Sequence, residues 1–321
     1  MILFRRAVIS AMNAVCFQRN FCAALSPLVP VPLPSRMEAH LWYVVPNEVK
    51  SSSLLSNYLD ILSPCEKENV SRMRGEQLQK AALLARVLVR TTIARYQING
   101  QVNPRSLKFK KNIHGKPELD WDEDQFQCAS RLQFNISHTS SLILCGVTVD
   151  SPIGVDLEEK QRKLKNNILA FARRYFTPLE VKFLSSISDP GVQHQHFVKL
   201  WTLKESYVKA LGRGFSGLPF RMFTIQFSTA EKGDSCPSGE KNNVGEITVK
   251  SLEDANSFGS NWQFALLELA GSHYAAICME KDEAVEGEVP TPMKLTVRKT
   301  VPYVRDELIS GPDAVVISGL T

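Results

Sequence analysis

Two carboxylates alternate within residues 154–159, Gly-Val-Asp-Leu-Glu-Glu, directly after an apolar run. On a strand the side chains alternate between faces, so Asp156 and Glu158 would project to the same side. Like charges that share a small region repel each other, and Mg²⁺, which proteins hold with one or two carboxylates plus substrate phosphates, relieves that repulsion. The pair therefore predicts a magnesium site, although ordinary surface acids at a solvated strand end fit the same pattern.

A second cluster of reactive side chains lies in residues 201–210, Trp-Thr-Leu-Lys-Glu-Ser-Tyr-Val-Lys-Ala. Trp201, Glu205 and Lys209 are four residues apart, so they would line one face of a helix. Gly212 is placed to end that helix. The alternative interpretation is an exposed Glu–Lys pair, which contributes only about 0.3–0.5 kcal/mol.

Ser137 and His138 are adjacent in residues 134–139, Phe-Asn-Ile-Ser-His-Thr, where an apolar run enters a turn. Nucleophilic Ser–His catalysis is a poor interpretation, because neighbours on a strand point apart and no elbow glycines surround Ser137. Phosphate binding fits better, and a hydrogen-bonded turn histidine is the alternative. Lys116, in His-Gly-Lys-Pro, and Arg90, in a long helical pattern, are further candidate cations, though each alone also fits a surface charge.

Apolar periodicity predicts the elements that would position these side chains. Their order predicts an α+β fold with two similar halves that meet near residue 150, a polar surface connection over 107–134 and a loose tail after 281. The predicted helices cover 51–62, a segment starting at 63–64, 77–96, 164–175, 178–186 and 193–211. The predicted strands cover 39–45, 142–149, 153–157, 223–227, 246–252, 262–269 and 273–279.

Composition excludes several classes of function. The 321 residues carry a formal charge of +5, which suits a polyanionic ligand or an acidic partner. The chain is not predicted to bind nucleic acid, because no aromatic platform is interleaved with its arginines. Its seven cysteines include no Cys-x-x-Cys pair, which favours a reducing compartment over disulfides or zinc. No apolar stretch reaches the ~18 residues that a membrane span needs.

The first 37 residues contain no acidic side chain but four arginines, Arg5, Arg6, Arg19 and Arg36, and they include a proline-rich run. An arginine-rich, acid-poor leader is typical of a transit peptide. We therefore expect a mitochondrial protein with a leader at 1–37. A disordered leader on a cytoplasmic protein is the alternative.

Five motifs occur in a fixed order: an arginine-bearing helix, Gly-Lys-Pro at 115–117, Asn-x-Ser-His at 135–138, Gly-Val-Asp-x-Glu at 154–158 and Trp-x-x-Lys-Glu-Ser-x-x-Lys at 201–209. In this order they resemble the Sfp-type 4'-phosphopantetheinyl transferase family, over about residues 39–279. The resemblance implies two α+β subdomains in a pseudo-two-fold arrangement, 38–150 and 151–281, followed by a tail at 282–321. Coenzyme A and Mg²⁺ would occupy the cleft between them.

The resemblance also implies a role for each motif residue. Asp156, Glu158 and Glu205 correspond to the metal ligands, and Lys209 to the partner of the diphosphate. Arg90, Lys116, Ser137 and His138 fall where such enzymes hold the nucleotide end. Glu205, with Lys209, is the candidate catalytic pair, Glu205 as general base. One departure lies in 63–69, where Glu66 and Asn69 stand at positions that are often basic.

The implied function is that of a magnesium-dependent holo-[acyl-carrier-protein] synthase, which moves phosphopantetheine from coenzyme A to a serine of an apo acyl carrier protein. We expect a monomer that binds no nucleic acid and no membrane. If the chain is mitochondrial, its acceptor would be the organellar carrier of fatty acid biosynthesis. The alternative from another class is a non-catalytic module that binds coenzyme A or a nucleotide.

Overall fold

The computed structural model describes residues 25–96, 102–120, 131–164, 167–228, 246–251, 261–281, 292–310 and 313–317. Two β-sheets pack face to face, and helices cover their outer faces. The fold is therefore α+β, in agreement with the sequence-based prediction.

The first sheet has five strands in the order β12-β11-β1-β5-β4. Its strand β1 pairs in parallel with β11 and antiparallel with β5, which in turn pairs with β4. The strands are β1 (Glu38–Val44), β4 (Leu132–His138), β5 (Ile143–Val149), β11 (Lys294–Val301) and β12 (Arg305–Ile309).

The second sheet has four strands in the order β13-β9-β10-β6, all antiparallel to their neighbours. Two hairpins, β2-β3 and β7-β8, lie beside the sheets. The strands of this sheet are β6 (Ile153–Glu159), β9 (Trp262–Leu269), β10 (His273–Glu280) and β13 (Ala314–Val316), and those of the hairpins are β2 (Phe109–Lys111), β3 (Pro117–Leu119), β7 (Phe223–Ser228) and β8 (Glu246–Ser251).

Side-chain alternation along the strands builds three apolar layers. In β1, Leu41 and Tyr43 face the second sheet, whereas Trp42 and Val44 face the helices α1, α2 and α3. In β6 the odd-numbered residues of 153–157 fill the space between the sheets. The even-numbered residues of β6, which include Asp156, consequently face the helices that cover the second sheet.

Two long helices dominate the outer layers. Helix α3 packs against the first sheet and α6 against β6 and β10. Asp189 caps the start of α6 through its side chain, and Gly212, in a left-handed conformation, ends it. The α-helices are α1 (Ser52–Ile61), α2 (Pro64–Ser71), α3 (Glu76–Arg95), α4 (Ile168–Tyr175), α5 (Pro178–Ser185), α6 (Pro190–Leu211) and the short α7 (Gly214–Gly217).

The expectation of a loose tail after residue 281 is wrong for the part of it that the structure describes. Strands β11 and β12 extend the first sheet and β13 extends the second. Tyr58 in α1 donates a hydrogen bond to the carbonyl of Pro302 at 2.6 Å. The terminal segment thus contributes strands to both sheets. The first sheet therefore contains strands from both sides of residue 150.

Two other segments differ from the expectation. Within the connection predicted at 107–134, the structure has the hairpin of β2 and β3, while 121–130 lie outside the described residues. Residues 25–36, assigned to the leader, lie against the core formed around α3, where Leu25, Leu28 and Leu33 make apolar contacts. The amide of Val31 donates to the carbonyl of Arg95 at 3.0 Å.

Candidate active site

A cleft of about 550 Å³ opens where β4, β6 and α6 meet, at the edge between the two sheets. Strand β4 and the turn after it form one wall, the end of β6 forms the floor, and α6 forms the other wall. The lining side chains are Ile136, Ser137, His138, Thr139, Asp156, Leu157, Glu158, Glu159, Arg162, Trp201, Glu205 and Lys209. The two diagnostic motifs, 154–158 and 201–209, therefore meet in one place.

Gly154 explains why α6 approaches β6 so closely. A Cβ atom at this position would overlap the backbone oxygen of Ser206 and the backbone nitrogen of Ala210. Gly154 lies on the same face of β6 as Asp156, because side chains two residues apart on a strand point the same way. The missing side chain thus lets Glu205 and Lys209, the neighbours of those two helix residues, reach the acids of β6.

Asp156 is the centre of a buried polar group. Its Oδ1 lies 2.5 Å from the Nζ of Lys209 and accepts a hydrogen bond from the Oγ of Ser137 at 3.0 Å. Lys209 Nζ also donates to Ser137 Oγ at 3.0 Å. One residue from each of β4, β6 and α6 thus meets at a single carboxylate that is only 4% exposed.

Glu158 contacts a different cation. Its Oε1 lies 2.6 Å from Nη1 of Arg162, and the guanidinium of Arg162 lies over the ring of Trp201 at 5.0 Å. An arginine held between a carboxylate and an aromatic face has a fixed orientation. Arg162 is therefore a second cation of the cleft beside Lys209.

Two carboxyl groups of the cleft, those of Glu158 and Glu205, hold their protons more strongly than ordinary ones. Burial raises the pKa of Glu158 to about 7, and the neighbouring charges of Asp156 and Glu205 add to the effect. Burial also raises the pKa of Glu205, and the charge of Asp156 adds to it. Asp156, Glu158 and Glu205, three of the four acids that line the cleft, thus create a demand for added positive charge that Lys209 and Arg162 only partly meet.

The chemistry of this donor set fits a hard divalent cation. Among the described residues, the Oδ2 of Asp156 is buried and has no hydrogen-bond partner, so one carboxylate oxygen is left to accept. In the same part of the chain, no three acidic, histidine or cysteine side chains converge on a common metal position. Asp156, Glu158 and Glu205 line one cleft. Asp156 is paired with Lys209, and Glu158 is paired with Arg162.

His138 lines the cleft where β4 ends, and Arg86 of α3 lies near enough for its charge to act on that imidazole. Burial lowers the pKa of His138, and the nearby charges of Lys209 and Arg86 lower it further. Arg86 lies on α3, where its Nη1 donates to the carbonyl of Ala82 at 2.8 Å. His138 is thus a neutral donor or acceptor between two cations, which suits an anionic ligand.

Arg90 lies outside the cleft lining, contrary to the expectation that it holds the nucleotide. It is 3% exposed, and its Nε and Nη2 donate to the carboxylate of Glu66 at 2.7–3.2 Å. Its Nη1 donates to the carbonyls of Pro104 and Leu107. These contacts make Arg90 a structural residue that joins α2, α3 and the segment after α3, and they explain why Glu66 is acidic.

Lys116 is likewise outside the lining. Its Nζ donates to the carbonyl of Ile153 at 3.0 Å and to that of Ala210 at 3.3 Å, and burial lowers its pKa to about 8. It therefore fastens the start of β6 to the end of α6. Lys116 therefore affects the cleft indirectly, because it holds β6 and α6 in position.

Of the eight residues singled out from the sequence, the structure brings together Ser137, His138, Asp156, Glu158, Glu205 and Lys209. Sequence reasoning missed Arg162, Thr139 and the placement of Arg86. Arg162 follows the end of β6 in a loop, so no periodicity marks it. Arg86 shares its helix with Arg90, and only packing decides which of these two arginines lies near His138.

Comparisons with known proteins identify two family models that match this chain. Residues 152–278 match the family described as the 4'-phosphopantetheinyl transferase superfamily, and residues 50–148 match the one described as 4'-phosphopantetheinyl transferase, N-terminal. The first of these ranges contains Asp156, Glu158, Glu205 and Lys209, and the second contains Ser137 and His138.

Individual relatives are moderately similar. The chain is 32% identical to the 4'-phosphopantetheinyl transferase HetI of Nostoc sp. over 56% of this chain and 71% of the relative. It is 31% identical to the 4'-phosphopantetheinyl transferase Sfp of Bacillus subtilis over 53% and 68%. It is 25% identical to the L-aminoadipate-semialdehyde dehydrogenase-phosphopantetheinyl transferase of Mus musculus over 69% and 68%.

Proposed function

The chain belongs to the 4'-phosphopantetheinyl transferase superfamily, and we propose that its cleft moves the phosphopantetheine arm of coenzyme A to a serine of an apo carrier protein. The observation that carries the proposal is the meeting of Asp156, Glu205 and Lys209 with Ser137 in one cleft between β4, β6 and α6. A diphosphate ester needs cations and hydrogen-bond donors, and its acceptor needs a base. The cleft has both.

The reaction is a displacement at phosphorus. The serine oxygen of the carrier forms a bond to the β-phosphorus of coenzyme A, the bond from that phosphorus to the bridging oxygen breaks, and adenosine 3',5'-bisphosphate leaves. A serine hydroxyl is a weak nucleophile at neutral pH, so its proton must pass to a base. Glu205 is our candidate, because burial raises its pKa towards the working pH.

Lys209 neutralises charge that develops on the leaving diphosphate. In the absence of substrate its Nζ is paired with Asp156, so an arriving phosphate would compete with that carboxylate for it. A preorganised cation in a water-poor cleft stabilises developing negative charge more than the same cation in bulk water. Arg162 adds a second cation to the cleft, and His138 adds a neutral hydrogen-bonding group.

Asp156, Glu158 and Glu205 are the residues that would hold Mg²⁺, and the unpartnered Oδ2 of Asp156 supports this assignment. When bound, the ion would supply a Lewis acid for the diphosphate oxygens. Titration of the substrate-free protein with Mn²⁺, followed by calorimetry, tests the assignment without reference to catalysis. We expect one site that Asp156→Asn weakens at least 10-fold, and equal binding to both proteins would contradict it.

The nucleotide end of coenzyme A would lie along β4, where Ser137 and His138 line the cleft and the charge of Arg86 acts on His138. The acceptor would be a small acidic carrier, to which a chain of net charge +5 is electrostatically suited. Added salt should therefore raise the KM for the carrier, because screening weakens steering between opposite charges. A KM for the carrier that salt leaves unchanged would contradict this part of the proposal.

We place the protein in mitochondria on the acid-free, arginine-bearing composition of residues 1–37, where the carrier of fatty acid biosynthesis would be its acceptor. Because residues 25–36 contact the core around α3, a processed form should begin at or before Leu25. N-terminal sequencing of the protein purified from mitochondria tests this. A first residue beyond Leu33, or exclusively cytoplasmic protein, would contradict it.

Intact-mass spectrometry tests the proposed activity directly. The purified chain is mixed with coenzyme A, Mg²⁺ and several apo carriers, and each carrier is weighed. The expected result is a carrier that gains the mass of one phosphopantetheine group. A chain that binds coenzyme A but adds that mass to none of the carriers would instead be a non-catalytic binding module.

Among the described residues, no helix is both long and apolar enough to cross a membrane.

A further inference from the structure

A second group of polar side chains lies behind the wall of the cleft, around His273. This histidine is the first residue of β10 and is 2% exposed. Its register partner in the sheet is Glu159, the last residue of β6. The imidazole reaches from there to the turn between β4 and β5, so it stands where the ends of three strands meet.

The imidazole makes three side-chain contacts. Its Nε2 lies 3.0 Å from Thr139 Oγ1 and 3.0 Å from Ser141 Oγ, both in the turn between β4 and β5. Its Nδ1 lies 2.9 Å from Ser272 Oγ. A single ring therefore joins β10 to two of the three hydroxyls of the turn that begins directly after His138.

The direction of each hydrogen bond follows from the partners. Ser141 Oγ donates its proton to Glu159 Oε1 at 2.8 Å, so towards His273 it can only accept. Nε2 therefore carries the hydrogen and Nδ1 is the acceptor nitrogen, with the Ser272 hydroxyl 2.9 Å from Nδ1 and 3.2 Å from the carbonyl oxygen of Ala270. A neutral ring with this tautomer agrees with burial, which lowers the pKa of His273.

The same network explains the two adjacent glutamates at the end of β6. Glu159 Oε1 accepts from Ser141 at 2.8 Å and from Ser140 at 3.1 Å, so this carboxylate is engaged by the turn. Glu158 faces Arg162 and the other acids of the cleft. Glu159 thus has a structural role at the turn, whereas Glu158 is part of the candidate active site.

From this geometry we propose that His273 is a positioning residue, which holds the Thr139–Leu142 turn against β6 and thereby fixes Ser137, His138 and Thr139 in the cleft wall. Substitution of His273 should therefore weaken the binding of coenzyme A, because Ser137, His138 and Thr139 form the wall along which the nucleotide is proposed to lie. Residues that carry the reaction, Glu205 and Lys209, lie on the opposite wall. The inference rests on the proposed function.

The test compares His273→Ala with His273→Gln. Loss of the ring should raise the KM and the calorimetric Kd for coenzyme A about 10-fold, while kcat and the KM for the carrier stay within 3-fold. Glutamine can place an N–H donor near the position of Nε2, so it should restore much of the affinity. His40→Gln is the matched control: His40 is 4% exposed, both its ring nitrogens have side-chain partners, and it lies on β1 outside the cleft lining.

A double-mutant cycle sharpens the test. If His273 acts through the turn, Ser141→Ala in the His273→Ala background should weaken binding less than it does alone. A His273→Ala protein with wild-type affinity for coenzyme A would overturn the inference and leave the proposed function standing. So would a loss of kcat equal to the loss of affinity, or the same loss in His40→Gln. A wild-type chain that neither binds nor uses coenzyme A would overturn the proposed function and this inference with it.

Discussion

The cleft works through pairs of residues whose charges oppose each other. Asp156 is held by Lys209 and Glu158 by Arg162, so the two cations are engaged until an anionic ligand arrives. Burial, and after it the charges of neighbouring acids, raise the pKa of Glu158 and Glu205 even so. The raised pKa of these two acids affects the stability of the protein as well as the binding of ligands.

The pH dependence of stability should report on Glu158. Its pKa is raised from 4.5 to about 7 in the folded protein, so the folded state binds the extra proton and is stabilised by it below pH 4.5. This contribution is lost as pH rises from 4.5 through about 7, by up to about 3 kcal/mol, since one pKa unit is about 1.4 kcal/mol.

Urea unfolding without divalent cations, at intervals across this range, measures the effect. Relative to Glu158→Gln, which cannot ionise, the wild-type protein should lose stability as the pH rises. Curves that run parallel for the two proteins would contradict the assignment.

Arg86 and Arg90, two of the three arginines of α3, should respond oppositely to substitution. Arg90→Met leaves the Glu66 carboxylate and two carbonyls without their partner, which should lower the free energy of unfolding by about 3 kcal/mol or more. It should leave the KM for coenzyme A unchanged at a temperature where the variant is folded. Arg86→Met should do the reverse. The result against the structure would be an Arg90→Met protein of normal stability with a raised KM.

At the scale of elements, the site depends on how closely α6 approaches β6. Gly154 permits the approach, and Lys116 fastens the two elements through the carbonyls of Ile153 and Ala210. The spacing of 154–158 and 201–209 was enough to predict a strand with two acids on one face and a helix with Glu205 and Lys209 on another. It was not enough to show that Lys116 is part of this joint, because its partners are backbone atoms distant in sequence.

Gly154→Ala should separate the two halves of the cleft. The added methyl group overlaps backbone atoms of α6, so the helix must shift, which should cost about 1–3 kcal/mol of stability. Transfer should fall roughly 100-fold, because a misplacement of about 1 Å has that effect on a positioned reaction. Gly191→Ala, at the other end of α6, is the control and should retain activity. Equal activity in the two variants would contradict the role given to the close approach.

At the scale of the whole molecule, the elements with local patterns were predicted and those formed by distant pairing were not. Strand β9 has the bounds that its periodicity predicts, and α1 begins after Ser51, whose hydroxyl caps it. Strand β11 was missed because its alternation is weak, and its parallel pairing with β1 joins segments more than 250 residues apart. Non-local pairing of this kind leaves little trace in a short window of sequence.

Removal of residues 292–321 should therefore prevent stable folding. The truncation deprives β1 of its parallel partner and Arg95 of Asp306, whose carboxylate its Nε and Nη2 contact at 2.9–3.1 Å. Arg95 is 1% exposed, so its charge would be buried without compensation. Circular dichroism and thermal melting measure the outcome, with a chain that ends at residue 317 as control. A truncated protein with a wild-type melting temperature would mean that the segment is a dispensable tail.

The most direct test of the account is single-turnover transfer by Glu205→Gln at saturating coenzyme A and magnesium, with intact mass as the readout. The substitution keeps the volume of the side chain and removes its charge and its basicity. We expect a rate at least 1,000-fold below wild type, on the order of the 10²–10⁴ that general base catalysis contributes, in a protein that still binds coenzyme A and melts normally. Transfer at the wild-type rate would contradict the placement of the reaction in this cleft.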